Sequence, residues 1–95
     1  MYNELFNAQL IDVCVKFYQA KFNCEIGIGD LINEIAVCVE KDGKNYTMVA
    51  EFTKNTSRRR EVILCELIER CLEVLDVYTF TGTSMCTSLI EAFYE

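Results

Sequence analysis

The sequence predicts an α+β fold, a small antiparallel sheet centred on a β-hairpin at residues 34–53 and packed with three helices. Three observations predict it. Asp42 and Gly43 sit between two runs that alternate apolar and polar residues, and Asp-Gly suits a type I′ turn because both central positions need positive φ. Apolar residues recur at helical spacing through residues 3–22, 58–76 and 84–94. No proline breaks any of these segments, which leaves punctuation to glycine. The order reads α-(β)-β-β-α-(β)-α, in one domain spanning residues 1–95.

The first helix, residues 3–22, takes Asn3 as its cap. Phe6, Leu10, Val13, Cys14, Phe17 and Tyr18 form its apolar side, and Asp12, Lys16 and Gln19 its wet side. Residues 23–33 are ambiguous: 24–28 alternate like a short strand, after which Gly29-Asp30 opens a turn or one helical turn. The hairpin register follows from its turn. Lys41 pairs with Lys44, Val39 with Tyr46, Val37 with Met48 and Ile35 with Ala50, which puts these apolar partners on one face. The other face carries Ala36, Cys38, Thr47 and Val49 and ends with Glu34 directly across from Glu51. Like charges placed opposite each other cost a few tenths to about 1 kcal/mol, so this pair asks for a reason.

Asn55-Thr56-Ser57 reads as a cap for the second helix, 58–76. Glu66, Glu69, Arg70, Glu73 and Asp76 form a narrow polar stripe on it, beside a wide apolar arc from Val62 to Leu75. An arc that wide predicts burial on two sides, by the sheet and by either another helix or a second copy of the chain in a homodimer. Val77 to Thr81 has strand composition and Gly82 closes it. The last helix runs from about Ser84 to Tyr94 and packs Met85, Leu89, Ile90 and Phe93.

Composition narrows the chemistry. With 52% hydrophobic and 25% charged residues the chain is globular rather than disordered. Histidine is absent, which removes imidazole acid–base catalysis and imidazole metal ligands. A net charge of −6 lacks the basic footprint of a nucleic-acid binder and is compatible with a basic protein partner or with simple solubility. The six cysteines include no Cys-x-x-Cys pair, so zinc and dithiol redox chemistry lack their usual signature. Apolar neighbours suggest small hydrophobes in a reduced protein. No signal peptide or membrane span is expected, and the predicted location is cytoplasmic.

Three constellations remain. Glu34 and Glu51 could hold a divalent cation through oxygen ligands, with Asp30 near enough in sequence to join them; the plainer reading is solvated charges that point apart at a sheet end. Arg58, Arg59 and Arg60 stand at a helix start, where free N–H groups favour anions, or they pair with nearby acids such as Glu61. Along the second helix, Glu66, Glu69, Glu73 and Asp76 sit roughly 4.5 to 6 Å apart at helical rise. That spacing is comparable to phosphates along a nucleic-acid strand, so the stripe is a candidate partner-binding surface. It is also what the wet side of an ordinary helix looks like, with Glu66–Arg70 as an i,i+4 pair.

Two resemblances follow. The order of elements from about residue 3 to 81 resembles the restriction-endonuclease-like nucleases, in which one acid opens a hairpin strand and a Glu-x-Lys closes the next. Glu34 and Glu51 match the acids, but Thr53 stands at the lysine position and Lys54 falls on the opposite strand face. The resemblance implies a Mg²⁺-dependent nuclease or an inactive relative, and Mg²⁺ enters under that reading alone. In size, acidity and a hairpin followed by an acidic helix, the chain resembles anti-CRISPR proteins, small phage-encoded inhibitors of bacterial defence nucleases. The residues behind this are Val39 to Tyr46 and the stripe from Glu66 to Asp76. That resemblance implies a non-enzymatic inhibitor of a basic, nucleic-acid-binding protein in the host cytoplasm. It calls for no cofactor and no direct contact with nucleic acid.

Overall fold

A computed structural model describes residues 7–53 and 55–95. Its order is α1 (Ala8–Phe22), β1 (Glu25–Asp30), β2 (Glu34–Lys41), β3 (Lys44–Glu51), α2 (Arg60–Val74) and α3 (Thr87–Phe93). The fold is the α+β arrangement expected, an antiparallel sheet in the order β1-β2-β3 with helices on one side.

The hairpin register agrees residue for residue, from Lys41 with Lys44 at the turn to Glu34 with Glu51 at the open end. Asp42 and Gly43 both take positive φ, 53° and 80°, which is what a right-handed strand twist demands of a two-residue turn. Residues 24–28 do enter a strand, but Gly29 and Asp30 do not turn. They pair with Ala36 and Ile35 as the end of β1. The turn is one step later, where the Leu31 N–H donates to the Glu34 carbonyl at 3.0 Å.

One sheet face is covered. Ile35, Val37 and Val39 on β2 are fully buried, with Ile26, Ile28, Met48 and Ala50 packed beside them. α2 lies across β2 and β3, α1 lies on β1 and α2, and α3 lies on α2. The wide arc of α2 is therefore spent within the chain: Leu64, Cys65, Ile68, Cys71 and Leu72 are all fully buried. Val74, 50% exposed, is the exception on that arc. Val13, Phe17, Leu89 and Phe93, expected in the core, stay 41–52% exposed at the edge of the helical layer.

Helix ends explain most boundary differences. Asn7 caps α1, its Oδ1 accepting from the Leu10 N–H at 3.0 Å; Asn3 and Phe6 lie outside the described residues. At the other end Asn23 takes the left-handed conformation (φ 52°), and Lys41 Nζ donates to the Phe22 carbonyl at 2.7 Å. Asn55-Thr56-Ser57 is not the cap of α2. Thr56 Oγ1 instead accepts from the Thr53 N–H at 2.9 Å, closing a separate turn, and α2 starts after Arg59.

Asp76 ends α2 region in a left-handed conformation (φ 62°), and the Val77 N–H folds back to the Leu72 carbonyl at 2.9 Å. Residues 77–81 are not a strand. β-composition reflects a fit to a half-buried surface, and Val77 and Tyr78 obtain that burial by packing on the core without a ladder.

Candidate functional site

The face of the sheet turned away from the helices is built from alternate residues of all three strands. Register puts Gly27 and Gly29 beside Cys38 and Ala36, with Thr47 and Val49 on the far side. These side chains are small, and Val49 is 56% exposed. No described helix covers them. A Cβ placed on Gly27 would meet nothing within 4 Å, so packing inside the chain does not require glycine there.

Glutamates bound this floor at both ends. Glu34 opposes Glu51 as expected, and at the other end of β2 Glu40 opposes Glu25. Directly opposed residues sit about 4.5–5.5 Å apart, and six residues of strand put the two pairs about 20 Å apart. Among the described residues, no cation pairs with any of the four. The Glu25–Glu40 pair was missed in the sequence because it depends on β1 pairing with β2, for which no turn motif gives a register. Beside the Glu34–Glu51 end, Leu31 and Ile32 are 61% and 66% exposed.

The metal reading of Glu34 and Glu51 loses its third ligand. Asp30 pairs with Ile35, so alternation places it on the covered face, away from the two glutamates. Thr53 lies beyond the end of β3, and Lys54 is outside the described residues. Among the described residues, no three carboxylates gather as a cation site.

The arginine triplet separates. Arg60 is buried, stacked 4.1 Å over the Phe52 ring, and donates to the Ile32 carbonyl at 2.6 Å. It fastens the β1–β2 turn to the start of α2. Arg58 pairs with Glu66, and Arg59 lies 3.6 Å over the Tyr94 ring. Arg58, Arg59 and Arg70 do line one cleft of about 540 Å³ with Thr83 and Thr87, but Glu66 and Glu91 share it.

Only half of the acidic stripe is surface. Glu69 is fully buried and Glu66 is 9% exposed; Glu73 and Asp76 remain in solvent. The cause is α3 and the segment before it, which cover the side of α2 that periodicity assigned to water. Glu66 takes Arg58 rather than the expected Arg70, and Arg70 lies over Phe80 at 5.2 Å. Glu69 Oε2 accepts from the Tyr18 hydroxyl and from the Met85 N–H at 2.7 Å. Burial raises the Glu69 carboxyl above its ordinary pKa, and those two donors oppose the shift. Glu61, also buried, accepts from the Asn7 N–H at 3.1 Å and the Tyr94 hydroxyl at 2.9 Å.

A further cluster was missed altogether. The thiols of Cys14, Cys65 and Cys86 meet in the helical layer. Hydrogen bonds from Cys14 and Cys65 push the Cys86 thiol down despite its burial. Contact with Cys14 and Cys86, followed by burial, pushes Cys65 far up. Separations of 51 and 21 positions carry no local motif, so only the helix packing reveals the group.

Comparison with protein-family models, curated proteins and solved structures returned no match.

Proposed function

We propose that this chain is a non-enzymatic interaction module that presents the open face of its sheet to a basic, nucleic-acid-binding protein and inhibits it, a defence nuclease being the partner the anti-CRISPR resemblance implies. The observation that carries this is the open face with its two opposed glutamate pairs, Glu25–Glu40 and Glu34–Glu51. Four negative charges bound a flat floor of small residues, with Val49, Leu31 and Ile32 as exposed apolar contacts. An apolar centre inside a charged rim is the usual anatomy of a protein interface. Complementary charge speeds encounter with a basic partner and rejects acidic ones. The face replaces the α2 stripe as the contact surface, because Glu66 and Glu69 are buried.

The test is capture from the source organism and its competitors by the wild type, by a variant with Glu25, Glu34, Glu40 and Glu51 changed to Gln, and by Glu73→Gln. The reading expects a basic nucleic-acid-binding protein that the wild type and Glu73→Gln retain and the fourfold variant loses while still folded. The captured protein's activity on nucleic acid should fall when the wild-type chain is added. Capture that survives loss of all four glutamates refutes the face as the site.

A further inference from the structure

Three of the six cysteines converge from three separate elements. Cys14 lies on α1, Cys65 on α2, and Cys86 immediately before α3. Their sulfurs lie within 4.8 Å of one another, and all three residues are essentially buried. A second layer lies one helical turn along. Tyr18 stands four residues beyond Cys14 and Glu69 four beyond Cys65, a spacing that stacks side chains on one helix face. Met85, next to Cys86, contributes its backbone N–H to the same layer. Tyr18 and Met85 both donate to Glu69 Oε2, while the buried Oε1 accepts no hydrogen bond among the described residues.

Cysteine as a small hydrophobe accounts for burial, but not for three sulfurs from three separate elements gathered at one point. That donor set has a chemistry. Soft thiolates select zinc and Cu⁺ over Mg²⁺ and Ca²⁺. Zinc–sulfur bonds of about 2.3 Å in a tetrahedron put sulfurs roughly 3.8 Å apart, so the trio closes on an ion by side-chain movements of about 1 Å or less. We propose that Cys14, Cys65 and Cys86 form a binding site for one thiophilic d¹⁰ cation, Zn²⁺ or Cu⁺, backed by the Tyr18–Glu69–Met85 layer.

On binding, the cation replaces the thiol protons, which pass to solvent. Zn²⁺ takes a fourth ligand; no further thiol or carboxylate among the described residues joins the trio within 4.8 Å, so a water completes its tetrahedron. Cu⁺ is satisfied by the three sulfurs alone. The site joins all three helices, so occupancy stabilises the layer that supports the sheet. It stands on the helical side of the molecule and does not depend on the open sheet face.

The test uses the reduced, metal-stripped full chain. Zn²⁺ is titrated against a chromophoric chelator, Co²⁺ serves as a spectroscopic substitute, and Cu⁺ is titrated without oxygen against a competing ligand. The expected result is one ion per chain, a sulfur-to-cobalt charge-transfer band and a higher melting temperature. Cys14→Ser and Cys86→Ser should each weaken binding at least about 10-fold, while Cys38→Ser leaves it unchanged. X-ray absorption of the loaded wild type, which needs no variant to fold, should count three sulfurs around the metal. A folded wild type that takes up none of the three ions at micromolar concentration overturns the proposal. So does binding that persists in both serine variants, or a metal surrounded by oxygen and nitrogen alone.

Discussion

Tyr18→Phe isolates the hydrogen bond on which the buried Glu69 depends. Phenylalanine fills the same fully buried space, so the substitution opens no cavity and removes one hydroxyl. That hydroxyl donates to Glu69 Oε2, leaving the Met85 N–H at 2.7 Å as the other donor. A hydrogen bond to a charged group contributes about 1.5–3 kcal/mol, and a charged acceptor left unsatisfied in the interior costs at least as much. We expect a loss of about 2–3 kcal/mol, against a total stability of roughly 5–14 kcal/mol for a domain of this size. The melting temperature should fall by about 10–20 °C. Urea denaturation followed by circular dichroism gives the free energy, and the cycle with Glu69→Gln gives the coupling. A coupling of about 1 kcal/mol or more is expected, since the two side chains touch. A loss below about 0.5 kcal/mol at neutral pH, the range of an inert surface substitution, refutes the view that this bond anchors α1 to α2.

Glu69 also sets a pH dependence. Burial raises its folded-state pKa above the ordinary 4.5, so the folded chain holds this proton more tightly than the unfolded chain does. The stability it contributes is fully present below pH about 4.5 and is lost as pH rises through the folded-state value; Glu69→Gln should flatten that decline in melting temperature measured against pH. Glu51→Lys turns an opposed like-charge pair into an attractive one across from Glu34, so stability should rise by a few tenths to about 1 kcal/mol while partner capture weakens. Gly27→Val adds a side chain where a Cβ meets nothing. Stability should rise by about 0.5–1 kcal/mol as the side chain projects onto the open face and blocks capture, measured by denaturation and pull-down on one preparation. Gly43→Ala should cost about 1–2 kcal/mol by chemical denaturation, because φ of 80° there suits glycine and not an L-residue.

The hairpin was legible because one local signal, Asp42-Gly43, fixes every pair downstream of it. The covered face then followed from alternation, and Ile35, Val37 and Val39 are fully buried as that alternation requires. Glu66 and Glu69 were misread for the opposite reason. Helical periodicity reports which residues share a face, but not whether another element covers that face. The cover here is a seven-residue helix, legible as a helix but not in where it docks, and an irregular segment at 77–86 whose strand-like composition misleads. Arg60 was misread in a related way. Its role depends on Phe52 and on the Ile32 carbonyl, 8 and 28 positions away, and a run of three arginines suggests an exposed patch when read alone.

The acidic residues divide by how the chain treats them. Glu61 takes Asn7 and Tyr94, Glu66 takes Arg58, and Glu69 takes Tyr18 and Met85. Each of these buried or nearly buried carboxylates has been given donors by a distant segment. Glu25, Glu34, Glu40 and Glu51 receive none among the described residues, and each instead faces another glutamate across the sheet. Solvent screening keeps the cost to about 1 kcal/mol or less per pair, yet any uncharged polar residue at these positions would avoid it. Departures from local stability rules gather where a surface serves something other than folding. Two such departures at the two ends of one uncovered face, with glycine between them where no packing requires it, share one physical explanation in a basic surface laid across the sheet. A positive partner spanning about 20 Å would relieve both pairs at once, so capture should weaken more than additively when one glutamate from each end is removed together.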